Sequence, residues 1–555
     1  MRRTSSGSGK SLKERRLKKM VKVCVLATPP DRCGIGKYVS FLTEEMRKVS
    51  EMELVTLHKL PVRFPTLHRV VSEVIELKPD IIHIHFDYPF FGEHGWQLPI
   101  FLLLTKALSK LRYGRCPRFI VSLHEFVSKA QTVKGRFYTR IFNTFLARWA
   151  DAIVALSHTT LKELLSSPSF ANFKEKVYLI PHGSIRIRSK VDKHQFERKY
   201  GLSGFKKSGD LMLGVLGFIH YEKGHDLLLK ALRKLKGAKI KLVIAGKPRL
   251  KEHRPYYRKL INYCKRYLNG SVRFIGFIED EDIPAFFDYI DVLVLPYRRI
   301  RQSGILNLAL AHGTPVITSD LPEFEEIRKE YKCVLTFKRN SSSDLARKIK
   351  LARSERLRTR LTVNAKKYHK DNSLTKVAKT YTSLYKLAHK RLTIFDLYGN
   401  EQQRERIDTL RKLMKIIREE YNRRLRILEV GCGTGYVLNE VGNGDIKVGI
   451  DMDEERLEFA INYYKINGVL GDARKLPFKD KSFDVVLLPE ILEHLEYEEA
   501  DQALREALRV ARDWVIITLP NASKRGYDKN LVENPEHRWF PTFEKVLRLI
   551  TKVKG

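Results

Sequence analysis

Short runs of apolar residues, each followed by a stretch with helical periodicity, recur through the first part of the chain. The runs are Val21–Ala27, Glu53–Thr56, Asp80–His85, Phe119–Leu123, Ala152–Leu156 and Val177–Ile180. An apolar run without alternation is typical of a strand that is buried on both faces of a parallel sheet. Because such runs alternate with helical stretches, the pattern predicts a parallel α/β domain over residues 21–200.

The same pattern returns in residues 201–390. Its apolar runs are Leu211–Leu216, Lys241–Ala245, Val272–Ile275, Val292–Leu295 and Pro315–Thr318. Two Rossmann-like domains of this kind that face a cleft make a GT-B architecture. Ligands of parallel sheets bind at the carboxyl ends of the strands. The candidate residues at these ends in the first domain are Gly34, Gly36, His85, His124, Ser157 and His182.

The stretch Leu211–Lys230 indicates phosphate chemistry. Its buried strand leads into a loop that carries Gly217, Lys223 and Gly224, and a helix follows. The free N–H groups at a helix N-terminus attract anions, and glycine lets a phosphate approach the backbone. A lysine beside them adds a positive charge. An ordinary strand–helix turn has the same elements, so the motif alone does not decide between the two interpretations.

Residues 27–327 resemble the retaining glycosyltransferases of family 4, with the motifs in the family's order. The matching segments are CGIGKYV, DIIHIH, IVSLHEF, ADAIVALSHTTLKELL, YLIPHG, GFIHYEKGHDLLLKAL, LVIAGK, VRFIGFIEDEDIPAFFDYIDVLVLPY and SGILNLALAHGTPVITSDLPEFEEI. The resemblance implies transfer of a sugar from a nucleotide donor. It also implies that the helices over Ser341–Lys390 cross back to the first domain.

The resemblance assigns roles to six residues. Gly34 and Gly36 would lie near the donor phosphates and the acceptor, and His124 would contact the transferred sugar as a catalytic residue. Lys223 would hold the donor diphosphate and is likewise a candidate catalytic residue, while Ser303 and Gly304 would belong to the backbone loop that faces the diphosphate. Fixed N–H donors and a lysine stabilise the charge that develops on the leaving diphosphate. The sequence therefore predicts a transfer that requires no metal.

The chain also departs from the family pattern. Phe218 occupies the position of an arginine, and Ile300 and Leu308 occupy the positions of two glutamates, the second of which usually holds the donor ribose. Positive charge could come instead from Arg298, Arg299 and Arg301. No role can be assigned to Glu323, Glu325 and Glu326. Two interpretations stay open: an active transferase with altered nucleotide recognition, or a catalytically degenerate binding module.

The composition changes after residue 390. Residues 391–424 are charged and predict a helical linker, and residues 425–555 form a third α/β domain. A strand runs directly into EVGCGTG within Leu425–Val441, and the next strand closes at Asp451. This set resembles the class I S-adenosylmethionine-dependent methyltransferases, which are also Rossmann-like. A dinucleotide site is disfavoured because GCGTG lacks the spacing G-x-G-x-x-G.

By this second resemblance the cofactor contacts are Glu429, Gly431, Gly433, Gly435, Asp451, Asp472 and Ala473. Asp451 would bind the ribose hydroxyls, and Glu490 would act as a catalytic residue near the methyl group. His494 and His537 are candidate bases, although a structural or surface histidine explains each equally well. After a helix predicted at Thr542–Thr551, no strand pair remains for the family's closing hairpin. We therefore expect a shortened, covered or truncated sheet.

The net charge of the 555 residues is +40, and residues 1–20 form a basic arm that we expect to be disordered. This charge suits an anionic membrane surface or sugar phosphates. Nucleic acid is disfavoured because no RNA-binding signature or helix-turn-helix is evident. Six cysteines without a C-x-x-C pair predict reduced thiols. No apolar run is long enough for a transmembrane helix. We expect a cytoplasmic protein, peripheral at the inner face of the membrane.

Together these features predict a bifunctional enzyme of polysaccharide biosynthesis. One module would transfer a sugar from a nucleotide-sugar co-substrate to a glycan or lipid-linked acceptor. The other would methylate a glycan with S-adenosylmethionine. The alternatives are a degenerate GT-B scaffold with an active methyltransferase, or a basic methyltransferase that binds nucleic acid.

Overall fold

The computed structural model of the protein describes residues 20–30, 33–62, 64–92, 95–126, 133–187, 190–268, 270–299, 303–390, 401–421 and 423–519. Residues 1–19 of the basic arm, Ile300, Arg301 and the whole segment from residue 520, with His537 and the predicted helix Thr542–Thr551, lie outside this description. Among the described helices, none combines the length and the apolar character needed to span a bilayer.

The first domain contains a parallel sheet in the order β2-β1-β3-β4-β5-β6. Its strands are β1 Lys22–Leu26, β2 Glu53–Leu57, β3 Ile81–Phe86, β4 Arg118–Leu123, β5 Ala152–Ala155 and β6 Val177–Leu179. The helices around it are α1 Gly34–Val49, α2 Leu67–Glu76, α3 Gln97–Tyr113, α4 Val133–Trp149 and α5 His158–Ser166. All six residues of β3 are buried, as its continuous apolar run predicts.

The second domain has a parallel sheet in the order β12-β11-β10-β7-β8-β9. Its strands are β7 Leu211–Leu216, β8 Ile240–Ala245, β9 Val272–Gly276, β10 Val292–Leu295, β11 Val316–Ser319 and β12 Val334–Phe337. Its helices are α6 Lys193–Lys199, α7 His225–Lys234, α8 Arg254–Tyr267, α9 Ile283–Tyr289, α10 Gly304–His312, α11 Pro322–Tyr331, α12 Ser342–Leu351 and α13 Glu355–Asp371. Strand β12 was not predicted. Helix α6 packs Phe196 into this domain's core, although the sequence places residues up to 200 in the first domain.

The next helix, α14 Leu374–His389, crosses back to the first domain. Val377 and Tyr381 join Val23 and Val25 of β1 in one buried cluster. This crossing agrees with the role that the sequence predicts for the end of Ser341–Lys390. The two Rossmann-like domains and the returning helix confirm the predicted GT-B architecture.

The third domain contains a parallel sheet in the order β15-β14-β13-β16-β17. Its strands are β13 Arg426–Val430, β14 Ile446–Asp451, β15 Asn467–Leu470, β16 Phe483–Pro489 and β17 Ala511–Thr518. Its helices are α15 Glu401–Glu420, α16 Tyr436–Val441, α17 Glu454–Tyr464 and α18 Tyr497–Val510. The predicted third Rossmann-like domain is therefore confirmed.

Helix α17 joins the third domain to the first. Phe459 is fully buried in the same cluster as Val23 and Val25, and its ring lies 6.3 Å from the ring of Tyr178. The Tyr463 hydroxyl accepts a hydrogen bond of 2.9 Å from the Leu179 backbone. The core of the first domain is thus completed by a helix of the third.

Candidate functional site

The cleft lies where the sheets of the first two domains reverse their strand order. In the second sheet β7 neighbours both β8 and β10, so the chain leaves β7 and β10 in opposite directions. Such a switch point leaves a crevice beyond the carboxyl ends of the two strands. The loop after β7 carries Lys223, and the loop after β10 carries Tyr297 and Arg298.

Lys223 ends a single 3-10 turn before Gly224, which adopts φ +66°. A Cβ atom at Gly224 would lie 1.9 Å from the Pro296 carbonyl oxygen, so only glycine fits this close approach. The Lys223 ammonium lies 3.6 Å from the centre of the Tyr297 ring, within the range of a cation–π contact. The predicted diphosphate-binding lysine is therefore held at the switch point by the loop opposite.

Arg298 and Arg299, which follow β10, have different partners. Arg298 donates to both carboxylate oxygens of Asp226, at 2.8 and 2.9 Å, so its charge is already matched. The expectation that Arg298 supplies free positive charge is therefore wrong. Arg299 reaches across the cleft, with its guanidinium 3.9 Å from a Glu125 oxygen. Because Glu125 follows His124 directly, this contact brings the loop after β4 to the loop after β10.

Sequence reasoning missed Arg249. Its guanidinium lies 5.4 Å from the centre of the Phe218 ring, and Phe218 occupies the position of the family's arginine. The motif LVIAGK ends at Lys247, two residues before Arg249. These two neighbouring basic residues were a signal in the sequence for positive charge after β8. A cation thus lies beside the position where the family's arginine is missing.

His124 belongs to a buried row of imidazoles. His85 Nδ1 lies 3.1 Å from His124 Nε2, and His83 bonds Ser122 at 2.7 Å and the Tyr385 hydroxyl at 2.5 Å. Burial is the main cause that lowers the pKa of all three imidazoles, that of His83 to about 3. These side chains are therefore neutral at pH 7.

The geometry favours one tautomer of His124. The other nitrogen of His85, Nε2, is buried and has no partner among the described residues. An orphaned N–H donor is rarer in protein interiors than an orphaned acceptor. We therefore place the shared hydrogen on His85 Nδ1, which leaves His124 to carry its hydrogen on Nδ1. A neutral His124 of this form donates through Nδ1.

The first glycine loop is packed tightly on one side. A Cβ atom at Gly36 would lie 2.4 Å from the Thr28 carbonyl oxygen, whereas one at Gly34 would meet nothing within 4 Å. Tyr38, two residues on, stacks on His182 with 3.7 Å between ring centres. Gly36 therefore lets helix α1 approach the end of β1, and Gly34 leaves open space above it.

Ser303 and Gly304 begin helix α10. The Ser303 hydroxyl accepts a hydrogen bond of 3.1 Å from the Leu306 backbone, which caps the helix. A Cβ atom at Gly304 would meet nothing within 4 Å. Leu308 packs against the core of the second domain rather than offering a polar group.

Two of the unassigned glutamates line a cavity with Ser303. This cavity of about 140 Å³ is bordered by His182, Ser303, Glu323 and Glu326. Glu326 accepts a hydrogen bond of 2.6 Å from the Thr159 hydroxyl of the first domain. Glu325 instead pairs with Arg328 at 2.6 Å. Positions 300 and 308 lack the glutamates of the family pattern, whereas this cavity has carboxylates from other positions.

The third domain has a second glycine loop between β13 and α16. Gly431, Gly433 and Gly435 all have positive φ, of 71°, 50° and 78°. Asp451 ends β14, and its two oxygens accept hydrogen bonds from the Gly433 backbone at 2.6 Å and from the Asp453 backbone at 2.8 Å. The predicted glycine loop and the carboxylate that closes the next strand therefore lie side by side.

The residues present fit S-adenosylmethionine. Glu429 is fully buried and accepts a hydrogen bond of 2.9 Å from the Leu438 backbone, while its Oε1 has no partner among the described residues. Burial raises the pKa of this carboxyl well above its usual value. A positively charged ammonium at the cofactor's methionine end would favour the ionised form of this carboxyl and donate to Oε1. When bound, the cofactor supplies an electrophilic methyl group.

Two further residues of the predicted methyltransferase site, Asp472 and Glu490, already pair with arginines of the protein. Both oxygens of Asp472 accept hydrogen bonds from Arg474, at 2.9 and 2.5 Å, and Ala473 is buried beside it. Glu490, at φ +52°, forms an ion pair with Arg406 of helix α15, a pairing that the sequence did not suggest. The Glu490 carboxylate therefore already has a cationic partner within the protein.

Sequence reasoning also missed Glu493, one turn beyond Glu490. Its side chain is 1% exposed, and neither oxygen has a partner among the described residues. Burial raises the pKa of this carboxyl to about 7. Glu493 is therefore a group of this loop that titrates near neutral pH, which suits a general base.

Three family models match successive parts of the chain. Glycosyltransferase Family 4 matches residues 14–184, Glycosyl transferases group 1 matches residues 203–368, and a Methyltransferase domain matches residues 428–517.

Characterised and uncharacterised relatives agree with these matches. An uncharacterized glycosyltransferase of Methanocaldococcus jannaschii is 28% identical over 326 residues, which cover 56% of this chain and 76% of the relative. The lipopolysaccharide core mannosyltransferase LpsB of Rhizobium meliloti is 26% identical over 34% of this chain and 50% of its own length. A fatty-acid O-methyltransferase of Mycolicibacterium smegmatis is 40% identical over 16% of this chain and 33% of its own length.

Solved structures show the same fold. Anabaena HepE, in complex with UDP and glucose, superimposes with a TM-score of 0.51 at 14% identity, covering 66% of this chain and 99% of HepE. The sucrose-phosphate synthase of Thermosynechococcus elongatus gives 0.50 at 15% identity, with 66% and 99% covered. The chain therefore contains a GT-B glycosyltransferase region, with a family 4 half and a group 1 half, and a methyltransferase domain fused behind it.

Proposed function

We propose that the GT-B module transfers a sugar from a nucleotide-sugar donor to a glycan or lipid-linked acceptor, with retention of configuration and without a metal. The observation that carries this proposal is the meeting of the loops that hold His124 and Lys223. Lys223 packs on Tyr297 at 3.6 Å, and Arg299 reaches Glu125 at 3.9 Å. HepE, which shares the GT-B fold, was solved with UDP and glucose, and this supports a nucleotide sugar as donor.

Each residue of the cleft has a distinct part in this proposal. Lys223 and the N–H groups at the start of α10, after Ser303, stabilise the leaving diphosphate. Gly34 leaves room for the donor and the acceptor beside β1. His124 donates through Nδ1 to an oxygen of the transferred sugar. Glu323 and Glu326 take the place of the family's missing glutamates toward the ribose hydroxyls.

We propose that the third domain methylates a glycan with S-adenosylmethionine. Gly431, Gly433 and Gly435 shape the loop that admits the cofactor, and Asp451 binds its ribose diol. Asp472 and Ala473 border the adenine, and Glu429 receives the ammonium group. Glu490 holds the acceptor hydroxyl near the methyl group while Glu493 accepts its proton. Methyl transfer of this kind depends mainly on the alignment of the two reactants.

The sugar-transfer proposal is tested by measuring the release of nucleoside diphosphate from a panel of UDP-, GDP- and ADP-sugars in the presence of a chelator. Lys223→Ala should abolish release and weaken donor binding. Lys236→Ala removes an exposed lysine just beyond helix α7 and serves as the matched control. Equal donor binding and turnover in wild type and Lys223→Ala would contradict the proposal.

One observation favours a second candidate, a donor-binding module without turnover. Leu308, partly buried, packs against the core where the family places a glutamate, so one usual contact to the donor is lost. This candidate predicts that a nucleotide sugar binds and that Lys223→Ala weakens it, while no donor in the panel is consumed. The turnover measurement separates the two candidates.

We propose peripheral attachment to an anionic membrane through helix α3. Leu104, Leu108 and Leu111 follow one another at helical spacing and are exposed, Leu111 by 81%. Lys110 and Arg112 lie in the last turn of the same helix. An apolar stripe with basic neighbours fits lipid headgroups and acyl chains together.

Vesicle sedimentation tests this attachment. The protein should bind phosphatidylglycerol vesicles more strongly than phosphatidylcholine vesicles, and Leu108→Glu should weaken that binding. Val363→Glu replaces a valine of α13 that is 61% exposed and should change nothing. Equal binding of both variants would exclude the α3 stripe as the attachment site.

A further inference from the structure

A second cavity lies where the methyltransferase domain meets the glycosyltransferase. It has a volume of about 450 Å³, within the range of pockets for small ligands. Its wall combines Pro181 after β6, Tyr331 at the end of α11 and Asn372 before α14 with Tyr463 and Lys465 at the end of α17. We call it the junction cavity, and it is complete only when both modules are present.

The junction cavity lies beside the cleft. Pro181, Tyr331 and Asn372 also border the cavity that contains His182 and Ser303. At its other side, α17 leads toward the methyltransferase loop, since its N-cap Asp453 donates to Asp451 from its backbone. With 11 residues, α17 spans roughly 16 Å. A ligand in the junction cavity would therefore lie between the two candidate active sites.

The charges that line the junction cavity are balanced. Lys376 and Lys465 provide two cations, and Glu330 and Asp371 provide two carboxylates. Lys376 and Asp371 are 3.9 Å apart. A diphosphate would require a surplus of positive charge. An acyl chain would cover charged side chains that now face solvent, without offering them hydrogen bonds. The lining therefore favours a neutral ligand that can both donate and accept hydrogen bonds.

The rest of the wall supports the same class of ligand. Tyr331 and Tyr463 provide aromatic surface, and Asn372 and Asn462 provide amides. Lys465 Nζ donates to the Asn462 carbonyl oxygen at 2.5 Å, and burial, followed by the charge of Lys376, lowers the pKa of this amine to about 8. Rings together with amides, carboxylates and amines suit the alternating apolar and hydroxyl surfaces of a saccharide.

We propose that the junction cavity binds a neutral saccharide segment of the glycan that both modules act on. This inference rests on the proposed transfer to a glycan. Binding there would hold the acceptor chain between the sugar-transfer cleft and the methyltransferase loop. Saccharide binding at this place also gives a reason for the burial of α17 against the glycosyltransferase, because the cavity needs residues from both modules.

Calorimetry with the full chain tests the cavity without donor or cofactor. The probes are neutral trisaccharides of glucose, galactose and mannose, with inorganic phosphate as the charged comparison. Lys465→Gly removes one amine at a position of φ +58°, which glycine adopts without strain, so the fold should persist. Lys376→Met removes the other amine, and Lys379→Met, an exposed lysine on the same helix, is the matched control.

We expect at least one trisaccharide to bind at millimolar concentration. Lys465→Gly and Lys376→Met should each weaken it about tenfold, because each removes a hydrogen bond from a charged donor. Lys379→Met should bind like wild type. In turnover assays the two cavity variants should raise KM for the acceptor and leave KM for the donor unchanged.

The result separates this inference from the proposed function. If the donor is consumed but no trisaccharide binds, or if all variants bind alike, the junction cavity is not a saccharide site. Binding of phosphate in place of sugar overturns it as well. If the trisaccharide binds as expected while no donor is consumed, the cavity stands and the transferase proposal fails.

Discussion

Phe459→Ala should destabilise the first domain even though Phe459 belongs to the third. The ring is fully buried and lies 4.8 Å from that of Tyr463, in the cluster that contains Val23 and Val25 of β1. Truncation of a buried phenylalanine costs about 3–5 kcal/mol. Little collapse into the hole is possible, because Tyr463 is tied to the Leu179 backbone at 2.9 Å. We therefore expect a loss of about 4 kcal/mol in the free energy of unfolding.

Hydrogen exchange followed by mass spectrometry measures where this loss appears. Peptides that contain β1 and α14 should exchange faster in Phe459→Ala, together with peptides from α17. Ile461→Ala, on the same helix but 39% exposed, is the control and should cost about 1 kcal/mol without affecting β1. If exchange rises in α17 while β1 and α14 stay protected, the two modules have independent cores and our account of the junction is refuted.

Three further predictions concern single groups. Asp451→Ala should weaken S-adenosylmethionine by about 1–3 kcal/mol in calorimetry, the cost of lost bonds to a charged group, and unchanged affinity would remove Asp451 from the site. His85→Phe should lower the kcat of sugar transfer about fivefold and leave the affinity for the nucleotide sugar unchanged. His85→Asn keeps a hydrogen-bond donor toward His124 and should retain most of the rate. Equal kcat values for the two variants would refute the tautomer assignment. The pKa of His83 is lowered to about 3, so the unfolded chain binds its proton first as pH falls below about 6.5. Stability should therefore decline by about 1.7 kcal/mol from this group between pH 6.5 and 5. His83→Asn should reduce the pH dependence in denaturant titrations by that amount, while His85 and His124, whose pKa values burial also lowers, keep their own contributions.

The strands were predictable because parallel strands buried on both faces must be continuously apolar. Strand β3, Ile81–Phe86, is the clearest case, with every residue buried. Strand β12, Val334–Phe337, was missed since it lies at the sheet edge and half of its residues are partly exposed. Helix α17 shows a different limit. Periodicity indicates that Phe459 and Tyr463 are buried, but it does not indicate which domain covers them.

The sequence was sufficient to identify many residues of the candidate sites, but not to predict which of them pair with each other or with other side chains. The glycine loop of the third domain and Asp451 follow from local spacing, and they lie side by side in the structure. The pairing of Arg298 with Asp226 and that of Arg406 with Glu490 join residues distant in sequence. Such pairings depend on the three-dimensional arrangement of loops. A charged residue that the sequence offers for ligand binding can therefore already be paired with another side chain in the fold.

The central claim is that one chain carries two transferase activities, each with its own active site. The most direct measurement incubates the full chain with a nucleotide-sugar panel, methyl-labelled S-adenosylmethionine and a glycan acceptor, and follows release of nucleoside diphosphate and labelling of the glycan by mass spectrometry. Our account predicts that Lys223→Ala abolishes sugar transfer alone and that Asp451→Ala, at a cofactor concentration below saturation, strongly reduces methylation of a supplied glycan alone. Loss of both activities in either variant, or of neither, would contradict it.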